Sequence, residues 1–259
     1  DRHYGPLLDG SAFKNSRRGP RPIPDVYLPL TPEWPAPYLW FGTRGYELEY
    51  TRVLSQMEQR FRQKGWTNTN FEMFFNHKKR YKVFSWDGDE TRFEKDNTFF
   101  KYYGRLLKQA VPADSPVKIK FRHDASWLMR NQMDELAGIV NFWVCGGGIF
   151  AFYPEAPRLL KDRGDRVFIY GGTPPAWDPA IAIADDPVQT WIYGIDGYCR
   201  WLCTSPGDDP WFNFDGGGVG MVFPGDRFGL DQALPGVWLK LECNVIQDPA
   251  LLDWAAGRP

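Results

Sequence analysis

The chain has 259 residues, of which 43% are hydrophobic and 17% aromatic, and its formal net charge is −1. This balanced charge gives no electrostatic reason to expect binding to nucleic acid or to an anionic membrane. No apolar stretch approaches the length of a membrane span. The length fits one large α/β barrel or two smaller domains.

Aromatic and basic residues shape the first expectations. The 12 Trp, 12 Tyr and 19 Phe exceed what a core of this size requires, which favours a cleft whose rings stack on flat ligands such as sugars. Taken singly, each ring is better explained as core. Two basic runs, 17–21 and 78–82, are interpreted as solvated loop charge rather than as a phosphate-binding face.

Strand-like and helix-like segments alternate along the chain after a stretch of forty residues rich in Pro, Gly and Arg. Apolar residues at helical spacing predict helices, and short aromatic or alternating runs predict strands. The predicted elements are a strand at 26–30, a helix from 50 to a stop at Gly65, a strand at 71–75, a helix around 99–107, a strand at 117–121, a helix at 128–140, a strand at 141–145, a short helix near 159–160, a strand at 166–170, a helix at 187–193, a strand at 197–202, a hairpin arm at 218–225 and a last helix at 238–252.

This alternation predicts a parallel sheet with right-handed crossovers. Hydrophobic strands with polar carboxyl ends are typical of a (β/α)8 TIM-type barrel, whose active site lies at those ends. Eight strands are needed, and six are convincing; they start near Val26, Phe71, Val117, Asn141, Arg166 and Gly197. We therefore interpret 1–259 as one catalytic barrel domain and expect its first strands upstream of Asp1, in a longer protein. The chain starts with neither Met nor a signal peptide, so its localisation stays open.

The run Trp86-Asp87-Gly88-Asp89-Glu90 places three carboxylates in four positions, between a predicted strand and a predicted helix. Adjacent carboxylates repel, so a fold that brings them together raises the proton affinity of one of them. One protonated and one ionised carboxyl group are what glycoside hydrolysis requires. The simpler interpretation is a tight Asp87-Gly88 turn followed by acids that complement a helix dipole. The local sequence alone favours the turn.

Further polar and aromatic side chains are expected at the same rim, because they follow the predicted strands. His77, beside basic residues, is more typical of an exposed loop than of a ligand-binding residue, and Asp124 next to His123 is equally typical of a helix N-cap. Together they support carboxylate chemistry in an aromatic-lined cleft. The candidates for substrate binding are Asn76, His77, Arg122, His123, Asp124, Trp143, Trp201 and Trp211.

Other chemistries lack their motifs. The sequence has no G-x-S-x-G nucleophile elbow, no G-x-G-x-x-G dinucleotide loop and no H-x-x-x-H spacing. Cys199 and Cys203 have no histidine near them, so a zinc site is not expected and buried free thiols are predicted instead. The sequence therefore predicts neither a metal nor a cofactor.

Several segments, in this order and spacing, resemble the C-terminal catalytic region of the family 123 glycoside hydrolases and a related family of unknown function. The resemblance covers most of the chain. It rests on residues 4–13 (YGPLLDGSAF), 64–67 (KGWT), Asp89-Glu90, 191–197 (WIYGIDG), 209–211 (DPW), 222–225 (VFPG), 239–242 (LKLE) and 247–248 (QD).

The resemblance implies a (β/α)8 barrel that follows a β-sandwich, with the Asp-Glu pair after the fourth barrel strand. The strand at 71–75 would be that fourth strand, and two strands and the sandwich would precede Asp1. The resemblance further implies removal of a terminal β-linked N-acetylhexosamine, such as N-acetylgalactosamine, with retention and with the substrate's acetamido group as nucleophile. Asp89 would orient that group. Glu90 would be the general acid/base and would need to stay protonated near neutral pH.

A rival from another class keeps the barrel and the aromatic cleft without catalysis, as a carbohydrate-binding or structural protein. In both readings the partner is a glycan. No coiled-coil or other assembly signal is present, so a homo-oligomer and an upstream segment that completes the barrel both stay open.

Overall fold

The structure is a computed structural model, and it describes residues 1–17, 19–81, 84–126, 130–204, 209–212 and 220–257. The chain divides into two compact units, Asp1–Trp143 and Val144–Pro259. In the described part, no helix is long and apolar enough to cross a membrane. The sequence prediction of one catalytic domain stays a prediction.

The first unit alternates strands with helices. Its strands β1, β2 and β3 are parallel neighbours in that order, with Phe71 opposite Ile119 and Met73 opposite Phe121. The elements are α1 (Gly5–Leu8), β1 (Asp25–Tyr27), α2 (Arg44–Gln63), β2 (Asn70–Met73), α3 (Asn97–Ala110), β3 (Lys118–Ala125), α4 (Arg130–Glu135) and the start of β4 (Phe142–Gly146).

Helices α2 and α3 cover the sheet of this unit through aromatic residues at helical spacing. Helix α2 begins after Thr43, whose side chain accepts a hydrogen bond from the Tyr46 N–H, and ends before Gly65, which has a positive φ. The hydroxyl groups of Tyr46 and Tyr103 lie 2.7 Å apart in the core, and the Tyr46 hydroxyl also donates to the Pro32 carbonyl. These bonds satisfy buried polar groups that would otherwise be costly.

The second unit continues the alternation from the end of β4. Strands β5 and β6 are parallel neighbours, and the short strands β7 and β8 form an antiparallel pair. The elements are α5 (Gly147–Phe152), α6 (Ala156–Asp162), β5 (Arg166–Gly172), α7 (Asp185–Tyr193), β6 (Gly197–Trp201), β7 (Val222–Phe223), β8 (Leu234–Pro235), α8 (Val237–Val245) and α9 (Asp248–Ala255).

The predicted α/β class is confirmed, and all six predicted barrel strands are present as β1 to β6. Their order follows the chain, β1-β2-β3-β4 in the first unit and β4-β5-β6 in the second. This arrangement fits part of a TIM-type barrel. The described residues do not form a complete (β/α)8 barrel.

Two helix predictions were wrong in their extent. The helix predicted at 128–140 spans Arg130–Glu135 among the described residues, and Gly138, with a φ of +67°, lies in the turn after it. The helix predicted at 238–252 is two helices, α8 and α9. The break falls before Asp248-Pro249, because a proline without an N–H suits the first turn of a new helix.

Two further predictions, a hairpin arm and buried thiols, are confirmed only in part. The hairpin arm predicted at 218–225 is confirmed for Val222–Phe223, which pairs with Leu234–Pro235; Gly218 and Val219 lie outside the described residues. The prediction of buried thiols holds for Cys145 alone. Cys199 is partly exposed, and Cys203 and Cys243 are exposed.

Candidate active site

The predicted carboxylate pair lies in the loop between β2 and α3 of the first unit. The backbone N–H groups of Gly88 and Asp89 both donate to the His77 carbonyl, each at 3.1 Å, so the loop folds back on the end of β2. The Asp87 carboxylate accepts a bond from the Lys79 N–H at 2.7 Å. Asp87 therefore stabilises the turn, as the simpler interpretation of the run predicted, and Asp89 and Glu90 stay the candidates for chemistry.

Glu90 has an unusual backbone. Its φ is +50°, and among the described residues it is the only non-glycine with a positive φ. This left-handed conformation costs free energy for a residue with a Cβ and persists only where the surroundings impose it. Strain of this kind often marks functional sites.

Thr91, the residue after Glu90, is held in place by the end of β3. Its N–H donates to the Asp124 carbonyl at 3.2 Å, and Thr91 forms a parallel bridge with Ala125 at the end of β3. Its hydroxyl lies 2.8 Å from His123 Nε2 and accepts from Gln132 Nε2 at 3.3 Å. Thr91 is fully buried. The strained loop is thus attached to the core on both sides of the acid pair.

Lys78 contacts both acids. Its ammonium group lies 3.3 Å from Asp89 Oδ2 and bonds directly to Glu90 Oε2, and its side chain is only 15% exposed. Burial lowers the pKa of Lys78, but the bonds to Glu90 and Asp89 outweigh it and leave that pKa raised. The sequence reading of 78–82 as solvated loop charge was wrong for Lys78, because the loop fold turns this side chain inward while leaving Lys79 exposed.

The contacts of Asp89 and Glu90 act against the expectation that one acid of the pair is protonated. Burial raises the pKa of Asp89, and Lys78 acts against that rise. Contact with an ammonium group favours the charged form of a carboxyl group. The contact of Lys78 with Glu90 therefore favours the charged form of the Glu90 carboxyl group.

Arg122 and Asp124 lie within β3 and not after it, since β3 extends to Ala125. The Arg122 guanidinium binds Asp124 bidentately, at 2.5 and 2.7 Å, and also bonds Glu72 Oε2 and the Tyr27 hydroxyl. This cluster joins β1, β2 and β3; Arg122, Asp124 and Glu72 are buried, whereas Tyr27 is 56% exposed. Burial raises the pKa of Asp124 to about 6 against the influence of Arg122, and the charges of Asp89 and Glu90 add to the rise.

His123 and Trp143 have no exposed surface, and their rings lie 4.9 Å apart in the core. Neither side chain can touch a ligand in this structure. Burial lowers the pKa of His123 to about 3, so the ring is neutral. Their predicted role in substrate binding has no support from their positions, and His123 instead supports Thr91.

His77 and Asn76 differ although they are neighbours. The prediction that His77 is an exposed loop residue was wrong: it is 9% exposed, and its ring lies 4.1 Å from Phe84 and 4.4 Å from Trp86. Burial lowers the pKa of His77 to about 4. Neither ring nitrogen has a hydrogen-bond partner. Asn76 is exposed at the end of the strand region and stays a candidate for binding.

The two remaining candidates belong to the second unit. Trp201 ends β6 and is 56% exposed. Trp211 is half-buried, stacked on Phe223 at 4.7 Å and edge-on to Phe228 at 5.1 Å. Within the described ranges, no group of three or more His, Cys, Asp or Glu side chains is placed to hold a metal ion.

The fold and this site define an α/β protein with paired carboxylates in the loop that follows a parallel strand. Its structure is similar to that of a family 123 glycoside hydrolase from Clostridium perfringens analysed for glycolipid glycan hydrolysis, with a TM-score of 0.58 and 14% sequence identity. The match covers 83% of this chain and 37% of that one. No family model and no curated protein sequence matches this chain. The likeness agrees with the resemblance carried by the sequence motifs, and at this identity it concerns the fold.

Proposed function

We propose that this chain is the catalytic part of a retaining glycosidase that removes a terminal β-linked N-acetylhexosamine, such as N-acetylgalactosamine. The observation that carries the proposal is the Asp89-Glu90 pair, held in a strained loop at the carboxyl end of β2, where barrel enzymes place their catalytic groups. The similarity in fold to a family 123 glycoside hydrolase supports the same class of reaction.

In the proposed mechanism Glu90 donates a proton to the glycosidic oxygen as the bond to C1 breaks. The carbonyl oxygen of the substrate's acetamido group forms the new bond to C1, and Asp89 accepts a hydrogen bond from the acetamido N–H and balances the positive charge that develops there. Glu90 then removes a proton from water, whose oxygen opens the cyclic intermediate at C1. Two displacements give retention without a carboxylate nucleophile.

Lys78 sets a condition on this mechanism. Glu90 has to carry a proton for the first step, and its contact with the Lys78 ammonium favours the carboxylate. We infer that substrate binding separates Lys78 from Glu90, so that Lys78 remains with Asp89, which has to be ionised. With Lys78 beside Asp89 alone, Asp89 is ionised and Glu90 is protonated.

The contact of Lys78 with both carboxylates also favours a second candidate function. A lysine that stays bound to both carboxylates permanently would leave a carbohydrate-binding protein without catalysis. This rival predicts saccharide binding without turnover and binding that is indifferent to Glu90→Gln.

The test compares wild type, Asp89→Asn and Glu90→Gln on the 4-methylumbelliferyl β-glycosides of N-acetylgalactosamine and galactose. We expect hydrolysis of the acetamido sugar alone, and each substitution should lower kcat by about a hundredfold or more. Glu94→Gln, an exposed acid in the same loop, is the matched control and should retain activity. Equal hydrolysis of both sugars, or full activity in both variants, would contradict the proposal.

A further inference from the structure

A cavity of about 670 Å³ lies in the first unit, and it is built by the two loops that follow β1 and β2. The first loop contributes Pro32, Glu33 and residues 36–41, and the second contributes residues 84–86. Tyr46 of α2 and Phe99 of α3 complete the wall. The volume lies within the range of about 300 to 1,000 Å³ that is usual for small-molecule sites.

The wall of this cavity is mainly aromatic and partly open to solvent. Trp40 is 84% exposed and Tyr38 is 95% exposed, so each presents a ring face that no protein group covers. Trp86, in contrast, is buried and stacks on Phe99 with the rings 4.6 Å apart and nearly parallel. Fixed rings on one side and available rings on the other suit a flat ligand that carries C–H groups on its faces.

The charge of the cavity narrows the ligand class. Among the lining residues, all of which the structure describes, Glu33 is the only charged one, and Ser85 adds a hydroxyl group. A carboxylate and a hydroxyl can bond sugar hydroxyl groups. With no cation in the wall, the cavity disfavours anionic ligands such as sialylated or sulfated sugars.

Trp86 of the cavity wall is close to the acid pair in the sequence, and His77 contacts both the cavity wall and the loop that carries the acid pair. Trp86 precedes Glu90 by four residues, so their Cα atoms lie at most about 14 Å apart. The same His77 that packs on Trp86 and Phe84 provides the carbonyl that fixes Gly88 and Asp89. Because β1 and β2 are parallel neighbours, both loops leave from the same edge of the sheet.

We propose that this aromatic cavity binds the leaving-group part of the substrate, an uncharged sugar to which the scissile N-acetylhexosamine is attached. The inference rests on the proposed function. The Trp40 ring stacks on that sugar, and the cavity thereby selects glycans with neutral penultimate residues over acidic ones.

The test uses two substrates that differ only in the leaving group: β-N-acetylgalactosaminyl fluoride and β-N-acetylgalactosaminyl-lactose. We expect Trp40→Ala to lower kcat/KM for the lactose conjugate about threefold to tenfold and to leave kcat/KM for the fluoride unchanged. Tyr38→Ala is the second cavity variant and is measured on the same two substrates. Trp254→Ala removes a similarly exposed tryptophan, 81% exposed in α9, and should change neither value.

A binding measurement separates this inference from the proposed function. Lactose titrated into the wild-type chain should shift the indole signal of Trp40 in NMR spectra, and Trp40→Ala should weaken lactose binding. Lactose binding without any hydrolysis would support the sugar-binding role of the cavity and refute the proposed glycosidase activity. Hydrolysis that is equal in wild type and both cavity variants, with no lactose binding, would overturn the inference and would indicate that these rings are covered by another protein segment.

Discussion

At the scale of single residues, Lys78 shows the largest difference between the environment that the sequence predicts and the environment in the structure. A basic run beside a turn is usually solvated, yet this lysine is largely buried and paired with both acids. The pairing offsets part of the repulsion between the two neighbouring carboxylates. It also makes the protonation of the site depend on one ammonium group.

Replacing Lys78 with Met should therefore move the pH dependence of activity. Burial raises the pKa of Asp89 and Lys78 lowers it, so without Lys78 the pKa rises further. Asp89 has to be ionised, so the acidic limb of the kcat/KM profile should shift to higher pH. Lys79→Met, at an exposed neighbouring position, should leave the profile in place. An acidic limb that stays still or moves downward in Lys78→Met would contradict this account.

At the scale of elements, the strand and helix order was predictable because the hydrophobic periodicity is clear in every unit. The strand predicted at 117–121, closing in Arg122-His123-Asp124, is confirmed as β3, which ends at Ala125. The partner of its last residue was not predictable, because Thr91 lies thirty-four residues away. The bonds of Arg122 to Tyr27 on β1 and Glu72 on β2 are likewise long-range. Such long-range pairing leaves no local pattern, so the sequence identified the acid pair but not the residues that hold it.

A charged cluster joins β6 to α7 and α8 in the second unit. The Arg200 side chain, 6% exposed, bonds Asp186 and Glu242, and Glu242 also bonds the Tyr198 hydroxyl. Glu242 ends the LKLE motif, which the resemblance singled out. Its position explains why an acid follows the apolar residues there: it completes a buried network.

Arg200→Met should destabilise the chain strongly, because it leaves two buried carboxylates without their cation. We expect the free energy of unfolding to fall by about 3 to 5 kcal/mol, measured by chemical denaturation. The matched control is Arg227→Met. Arg227 and its partner Asp209 are each more than a third exposed, so this change should cost less than about 1 kcal/mol. Equal effects of the two substitutions would show that the buried network contributes little.

At the scale of the whole molecule, buried neutral histidines tie stability to pH. The pKa of His77 is lowered from 6.5 to about 4 by burial. Between those values the unfolded chain binds a proton that the folded chain does not, so the contribution of His77 to stability falls as the pH drops. Buried carboxylates with raised pKa values act in the opposite direction, which means that total stability alone does not isolate the effect.

A comparison of wild type with His77→Phe isolates the contribution of His77 to the pH dependence of stability. Between pH 7 and pH 5 the difference in free energy of unfolding should change by about 2 kcal/mol in favour of the variant, as measured by denaturation at both pH values. His3→Phe, at an exposed position, should give no such change. A difference that is the same at both pH values would mean that His77 is accessible to protons in the folded state.

The central claim is that Glu90 is the general acid and Asp89 orients the acetamido group. The most direct test measures kcat for substrates with poor and good leaving groups, methyl and 2,4-dinitrophenyl β-N-acetylgalactosaminides. The account predicts that Glu90→Gln lowers kcat by about a thousandfold for the methyl glycoside and by about tenfold at most for the dinitrophenyl glycoside, while Asp89→Asn lowers both alike. A loss in Glu90→Gln that is independent of the leaving group would contradict it.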